Sequence, residues 1–160
     1  MVPVSDKGRG KAQVADMPSL RSEFEPLLIS PDGLHPTAAA CAKAWDAETA
    51  TDERLAEMIA LADEWLKLCT RSRSVNTRTP SSYGLKSICS RWYGRDGYGP
   101  KILNGCFLMA CHRLGFAMQA QPARFVQKIG RCDANAWINI AAWPSDANRR
   151  PGVERKEERV

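Results

Sequence analysis

The strongest constraint on the fold is an amphipathic helical pattern in residues 52–69, DERLAEMIALADEWLKLC. Its apolar residues recur at the spacing of one helix face: Leu55, Met58, Ile59, Ala62, Leu66 and Cys69. Thr51 can cap this helix, and Asp52 and Glu53 lie in the first turn, where the helix dipole favours anions. The 160 residues are 44% hydrophobic and 26% charged, which excludes a disordered chain and fits one domain, alone or with tails.

Two further segments show helical periodicity on either side of a glycine-rich loop. Residues 83–93, which Ser81 or Ser82 can cap, carry an apolar stripe of Leu85, Ile88, Cys89 and Trp92. After the loop GRDGYGP (94–100), residues 101–114 carry a second stripe of Leu103, Cys106, Phe107, Ala110 and Leu114, and Gly115 closes the helix. Leu108 and Met109 fall on the opposite face, so this helix is expected to be contacted on two sides.

Strand-like composition follows in residues 116–121 and 135–143, and residues 123–131 between them fit a short helix or a hairpin arm. We therefore predict an α+β, mainly helical fold with a compact helix–loop–helix and a small β-hairpin, a succession shared with winged helices. Four segments are expected: an extended or disordered arm over 1–36, an acidic helical segment over 37–72, a basic α+β unit over 80–143 and a charged tail over 144–160.

The charge is distributed unevenly along the chain. The net charge is +5, but residues 1–70 hold seven Lys/Arg against twelve Asp/Glu, whereas residues 71–131 hold eleven against one. A net +10 in this basic stretch meets the requirement of a phosphate-binding surface, which needs several cations and few acids. The alternative is a solvated surface that pairs with the acidic helix 52–69 of the same chain or with an acidic partner.

The helix–loop–helix suggests a DNA-reading unit, in which the outer face of the second helix carries short polar or cationic groups. That face would present Lys101, Asn104, Gly105, Leu108 and His112. The seven-residue loop is longer than the about three or four residues of a helix-turn-helix, and two packed core helices explain the same periodicity. The expected contact surface for nucleic acid is Lys86, Arg91, Arg95, Lys101, Asn104, Arg124 and Lys128.

No arrangement of residues predicts catalysis, a metal or a cofactor. Gly94, Gly97 and Gly99 match neither phosphate-loop spacing, although a contact to a nucleic-acid phosphate stays open. Cys106 and Cys111 are five residues apart and no C-x-x-C pair exists, so neither zinc nor a Cys–His nucleophile with His112 is expected.

The cellular setting is expected to be the cytoplasm. No stretch approaches eighteen uninterrupted apolar residues, and the first twenty residues lack the apolar core of a secretory signal. The six cysteines have no paired spacing and are interpreted as mostly buried thiols.

Three stretches in residues 81–140 resemble a family of small proteins encoded by phages, plasmids and integrated elements of bacteria. They are SSYGLKSICSRWYG, GYGPKILNGCFLMACHRLGF and DANAWINI, against S-Y-x-L-K-H, an N-G-x-F-I-x-A-A-x-x-x-G-F helix and N-A-x-x-N-I in the family. This chain has Ser87 in place of the usual His, and Cys106 and Cys111 within the second motif. The resemblance implies a mobile-element origin and a compact α+β unit, and no particular activity.

We therefore expect a non-enzymatic nucleic-acid-binding protein, with DNA favoured over RNA, that serves a mobile element in an accessory or regulatory role. The alternative is a protein-interaction module whose basic face docks an acidic partner or a second copy of the chain. No membrane association is expected.

Overall fold

Five α-helices and three antiparallel strand pairs make up residues 19–94, 99–122 and 135–144, the parts of the chain that the computed structural model describes. The helices are α1 (Leu20–Phe24), α2 (Ala38–Ala47), α3 (Asp52–Leu66), α4 (Ser82–Tyr93) and α5 (Asn104–Arg113). The pairs are β1 (Ile29–Ser30) with β2 (Gly33–Leu34), β3 (Thr70–Arg71) with β6 (Ile140–Ala142), and β4 (Met118–Ala120) with β5 (Ala136–Ile138). The predicted α+β, mainly helical fold class is confirmed.

Helix α3 forms where its apolar periodicity predicts it, and it ends three residues earlier, at Leu66. Thr51 caps it, since its side chain accepts a hydrogen bond of 3.1 Å from the backbone N–H of Arg54. The buried face includes Trp65, which is fully buried and which the predicted stripe omitted. After the helix, residues 67–69 turn the chain into β3, so Cys69 is half-buried beyond the helix end.

Helix α5 lies at the centre of the molecule. Every residue from Asn104 to Cys111 is buried, because α3, α4 and the β1–β2 hairpin all pack against it. The expected contact on two sides is therefore confirmed. The helix begins three residues later than expected, since Leu103 still has an extended backbone.

The expected extended or disordered arm over 1–36 is wrong for residues 19–36. They form α1, a short 3-10 helix (Glu25–Leu27) and the β1–β2 hairpin, and they place Phe24 and Ile29 in the core. The prolines do not prevent this structure, because Pro26 lies in the first turn of the 3-10 helix, where its missing N–H costs nothing. Residues 1–18 lie outside the described residues.

The acidic and basic segments share one hydrophobic core instead of forming separate units. Helix α3 packs on α5, and β3 pairs with β6 across the charge boundary. The linker after β3 is also bound to the body, since Ser72 and Asn76 donate backbone hydrogen bonds to Asn139 and Ile138. The change in composition near residue 71 is therefore not a domain boundary.

The two strands of the predicted β-hairpin are present as β4 and β5, which pair antiparallel with Met118 opposite Ile138 and Ala120 opposite Ala136. Residues 135–143 do not form one strand, because they divide at Asn139 between two strand pairs. The Asn139 side chain holds the junction: its amide oxygen accepts from the N–H of Ala117 (2.8 Å), and its amide nitrogen donates to the carbonyl of Ser72 (3.2 Å). The segment 123–131 and the charged tail beyond Pro144 lie outside the described residues.

Candidate nucleic-acid interface

An open cleft of about 350 Å³ lies between the outer face of α4 and residues 99–102. We call it the cationic cleft, and its described lining residues are Lys86, Ser87, Ser90, Arg91, Gly99, Pro100, Lys101 and Ile102. Three of these side chains are cations and none is an acid. The cleft can therefore accept an anion without opposing charge from the described residues that line it.

Helical spacing produces the α4 side of the cationic cleft. Position 90 lies four residues after position 86 and three after position 87, so its side chain shares a face with both. The opposite face carries Leu85, Cys89 and Trp92, which are at most 1% exposed and bind the helix to the core. Burial of one face thus fixes the direction in which the polar face points.

One hydrogen bond to α4 and one buried side chain fix the position of residues 99–102. The Ser90 hydroxyl donates a hydrogen bond of 2.6 Å to the carbonyl of Pro100, and Ile102 is buried in the core at 1% exposure. The approach is so close that a Cβ at position 99 would lie 1.7 Å from the Ser90 carbonyl oxygen, which only glycine avoids. Lys101 lies between these two fixed residues and lines the cleft together with Lys86 and Arg91.

The three cations are available for a ligand. Arg91 and Lys101 are exposed, Lys86 is half-buried, and none of the three forms an ion pair with another described residue. The Lys86 ammonium lies over the Tyr83 ring, 4.3 Å from its centroid. Pairing with the acidic helix α3, the alternative explanation of the basic stretch, does not occur for these residues among the described parts.

Two other cations of the basic stretch are engaged within the fold. Arg113 forms two hydrogen bonds with the Glu23 carboxylate, at 2.8 and 3.1 Å. Arg71 donates to the carbonyl of Leu114 and lies over the Phe116 ring at 3.9 Å from its centroid. The hydrogen bond from Arg113 lowers the pKa of Glu23 below its ordinary value of 4.5.

The structure thus brings together three of the seven residues predicted to bind nucleic acid: Lys86, Arg91 and Lys101. Arg95, Arg124 and Lys128 lie outside the described residues. The remaining member, Asn104, is only 6% exposed. Its amide nitrogen donates to the carbonyl of Asp32 (3.4 Å) and to the side-chain oxygen of Asn135 (3.1 Å), so its polar group serves the fold.

The prediction of a reading face on α5 is wrong. Four residues of the predicted face lie in α5. Asn104, Gly105 and Leu108 are buried, and only His112 is exposed. Gly105 does permit a close approach, but to the protein's own hairpin: its N–H donates to the Pro31 carbonyl at 2.9 Å, and a Cβ there would lie 1.6 Å from the Ser30 carbonyl oxygen. A helix covered on this side cannot enter a DNA groove.

The described cysteines are free thiols, and four of the five are buried. Burial raises the pKa of Cys69 and of Cys106 to about 12 and holds that of Cys111 well above its ordinary value, so none of these three is an activated nucleophile. Cys132 lies outside the described residues. The expectation of mostly buried thiols is therefore confirmed for the described ones.

One polar pair was not foreseen from the sequence. The Ser30 hydroxyl and the His35 Nε2 atom lie 2.6 Å apart, as in a nucleophile–base pair. Ser30 is fully buried, however, and its oxygen also accepts from the N–H of Asp32 (3.1 Å), so a substrate has no access to it. The pair stabilises the turn between β1 and β2.

Within the described ranges, no three or more His, Cys, Asp or Glu side chains are grouped so that they could hold a metal ion. No helix there is both long and apolar enough to cross a membrane. Comparison with protein-family models, with curated proteins and with solved structures finds no match.

Proposed function

We propose that the protein is a non-enzymatic nucleic-acid-binding protein, acting on DNA in preference to RNA, whose cationic cleft binds backbone phosphates. The observation that carries this proposal is the convergence of Lys86, Arg91 and Lys101 on one cleft without an acidic group among its described lining residues. Phosphate contacts of this kind supply most of the affinity in binding that does not depend on base sequence.

The contrast with the ion-paired cations elsewhere in the fold supports the proposal. Arg21, Lys67 and Arg113 each form an ion pair with a carboxylate, whereas the cleft cations have no such partner among the described residues. Cations brought together without counterions repel one another, and a bound polyanion relieves that repulsion.

The biological setting belongs to the same proposal. The resemblance of residues 81–140 to mobile-element proteins favours an accessory or regulatory role for a phage, plasmid or integrated element. A cytoplasmic location fits the free thiols, which a reducing compartment preserves.

Charge reversal in the cleft tests the proposal. We expect Arg91→Glu/Lys101→Glu to weaken binding of labelled DNA, duplex or single-stranded, by about tenfold or more at low salt, because two charge-assisted contacts are lost. Fluorescence anisotropy measures the affinity. Lys43→Glu/Arg54→Glu is the matched control, because it changes the same charge at two exposed cations away from the cleft and is expected to alter binding by less than about threefold. Failure of the wild-type protein to bind either form of DNA at low salt would refute the proposal.

A second candidate is self-association through opposite charges. The solvent face of α3 carries the exposed acids Glu53 and Glu57, one turn apart, and the cationic cleft of another copy is complementary to them. A dimer that dissociates as salt is added, in a protein that binds no DNA, would favour this alternative. Analytical ultracentrifugation over a salt series distinguishes the two.

A further inference from the structure

We infer that the ligand of the cationic cleft is a single-stranded polynucleotide, with one unpaired base stacked on Tyr83. This inference rests on the proposed function and names the form of nucleic acid that the cleft takes. It follows from the position of one aromatic ring and from the shape of the surface around it.

Tyr83 is 48% exposed, and no other Phe, Tyr or Trp side chain in the described parts of the chain is as exposed. It precedes Lys86 and Ser87 by three and four residues, so its ring continues the polar face of α4 that lines the cationic cleft. An exposed aromatic ring beside a set of cations is the combination that single-strand-binding surfaces use, since the ring stacks on a base and the cations follow the backbone.

The spacing suits a short piece of strand. From Tyr83 to Ser90 the helix rises about 10 Å. That distance corresponds to roughly three nucleotides at the step of a stacked strand, about 3.4 Å. A base on Tyr83 therefore leaves the next phosphates within reach of Lys86 and of the two cations farther along the cleft.

Duplex DNA fits this surface less well. The bases of a duplex are stacked on each other, so none can lie on the Tyr83 ring without being flipped out of the stack. Reading a groove requires a convex element that projects from the protein. Here the cations line an open cleft beside α4, and α5, the helix expected to project, is buried from Asn104 to Cys111.

The interaction of Lys86 with Tyr83 connects the two parts of the site. The ammonium group lies 4.3 Å from the ring centroid, on one face of the ring. It holds the ring beside the cleft and covers one face of it, so a base would stack on the other face while a backbone phosphate contacts the ammonium group.

The test compares oligo-dT and oligo-rU of about 12 nucleotides, a length within known single-strand site sizes, with a mixed-sequence duplex of equal length. Fluorescence anisotropy is measured at one low salt concentration for the full chain and for Tyr83→Ala, Tyr83→Phe and Leu68→Ala. Leu68 is the matched control, because it is a large apolar side chain, 55% exposed, that does not line the cleft.

We expect the single strands to bind more tightly than the duplex. Tyr83→Ala should weaken their binding by about fivefold or more, whereas Tyr83→Phe, which keeps the ring, and Leu68→Ala should change it by less than about twofold. Oligo-rU binding as tight as oligo-dT binding would support the single-strand inference and overturn the preference for DNA over RNA in the proposed function.

Duplex binding as tight as single-strand binding, or unchanged single-strand binding in Tyr83→Ala, would overturn the inference and leave the proposed function intact. Absence of binding to all three probes would overturn both. Thermal unfolding of each variant checks that loss of binding does not reflect loss of structure, which is not expected for substitution of an exposed side chain.

Discussion

Helices α4 and α5 are neighbours in sequence and in space, yet one has a solvent-exposed face and the other is almost entirely buried. Both have an apolar stripe at helical spacing, and both carry polar residues away from it. Helix α4 buries one face and turns the other, with Tyr83 and Lys86, toward solvent, whereas α5 is buried from Asn104 to Cys111. A polar residue off the apolar stripe therefore marks a surface only when no other element covers that side.

Substituting one aromatic residue on each helix should give the largest difference in the free energy of unfolding. Phe107→Ala in α5 should lower the free energy of unfolding by about 3–5 kcal/mol, because a fully buried ring beside Trp65 leaves a cavity. Tyr83→Ala in α4 should lower it by less than about 1 kcal/mol, since the ring is half exposed and loses mainly its contact with Lys86. Urea unfolding measures both, and similar losses for the two variants would contradict the comparison.

Two glycines differ in the same way in how much their substitution should cost the backbone. Gly105→Ala should lower the free energy of unfolding by at least about 2 kcal/mol, because the new Cβ meets the Ser30 carbonyl oxygen at a buried helix start. Gly99→Ala creates an equally close contact, with the Ser90 carbonyl, but in an exposed position where the cost should be about 1 kcal/mol.

The two glycine variants should also differ in function. Gly99→Ala is expected to weaken oligo-dT binding, since residues 99–102 must move and carry Lys101 away from α4. The interpretation that Gly99 allows residues 99–102 to lie close against α4 would be wrong if this variant bound oligo-dT like the wild type. Unfolding and anisotropy on the same samples separate the two effects.

The smallest expected effect concerns the ion pair at the end of α5. Because Arg113 lowers the pKa of Glu23 in the folded protein, the pair stabilises the fold fully above the unfolded-state pKa, and this contribution is lost as pH falls through the folded pKa. Glu23→Gln should therefore lower the free energy of unfolding by about 0.5 kcal/mol at pH 7, a value reduced for the exposure of both side chains.

The difference between Glu23→Gln and the wild type should shrink as the pH is lowered through 4.5, the ordinary pKa of Glu23, and below. Urea unfolding at a series of pH values measures it. Glu57→Gln, at an exposed α3 acid without an ion pair to another described residue, is the control and should show no such trend. A constant difference at every pH would contradict the assignment of the effect to this pair.

Local pattern was sufficient to predict α3, α4 and α5, because each buries a stripe that the spacing of apolar residues reveals. It was not sufficient for β1 and β2, whose two-residue strands depend on distant partners such as the Trp45 indole, which donates to the Ile29 carbonyl at 2.9 Å. Proline-rich composition therefore suggested an extended arm at a position where long-range packing determines the structure.

In the candidate site, too, local pattern predicted some residues correctly and failed where distant contacts decide the structure. The charge pattern pointed to Lys86, Arg91 and Lys101, and the fold leaves Arg91 and Lys101 exposed and Lys86 half-buried. Asn104 was misplaced because its partners, Asp32 and Asn135, are far away in sequence. The hydrogen bond from Ser90 to Pro100, which builds the cleft, joins ordinary residues ten positions apart and leaves no recognisable signal in the sequence.

The salt dependence of binding tests most directly whether the cationic cleft neutralises phosphates. For oligo-dT, the logarithm of the association constant should fall with the logarithm of salt concentration with a slope of about −2.1 or steeper, since three cations each contribute about −0.7 on a single strand. Arg91→Gln/Lys101→Gln should make the slope shallower by about 1.4, whereas Lys43→Gln/Arg54→Gln should leave it unchanged. An equal slope in the wild type and the cleft variant would show that Arg91 and Lys101 do not neutralise phosphates.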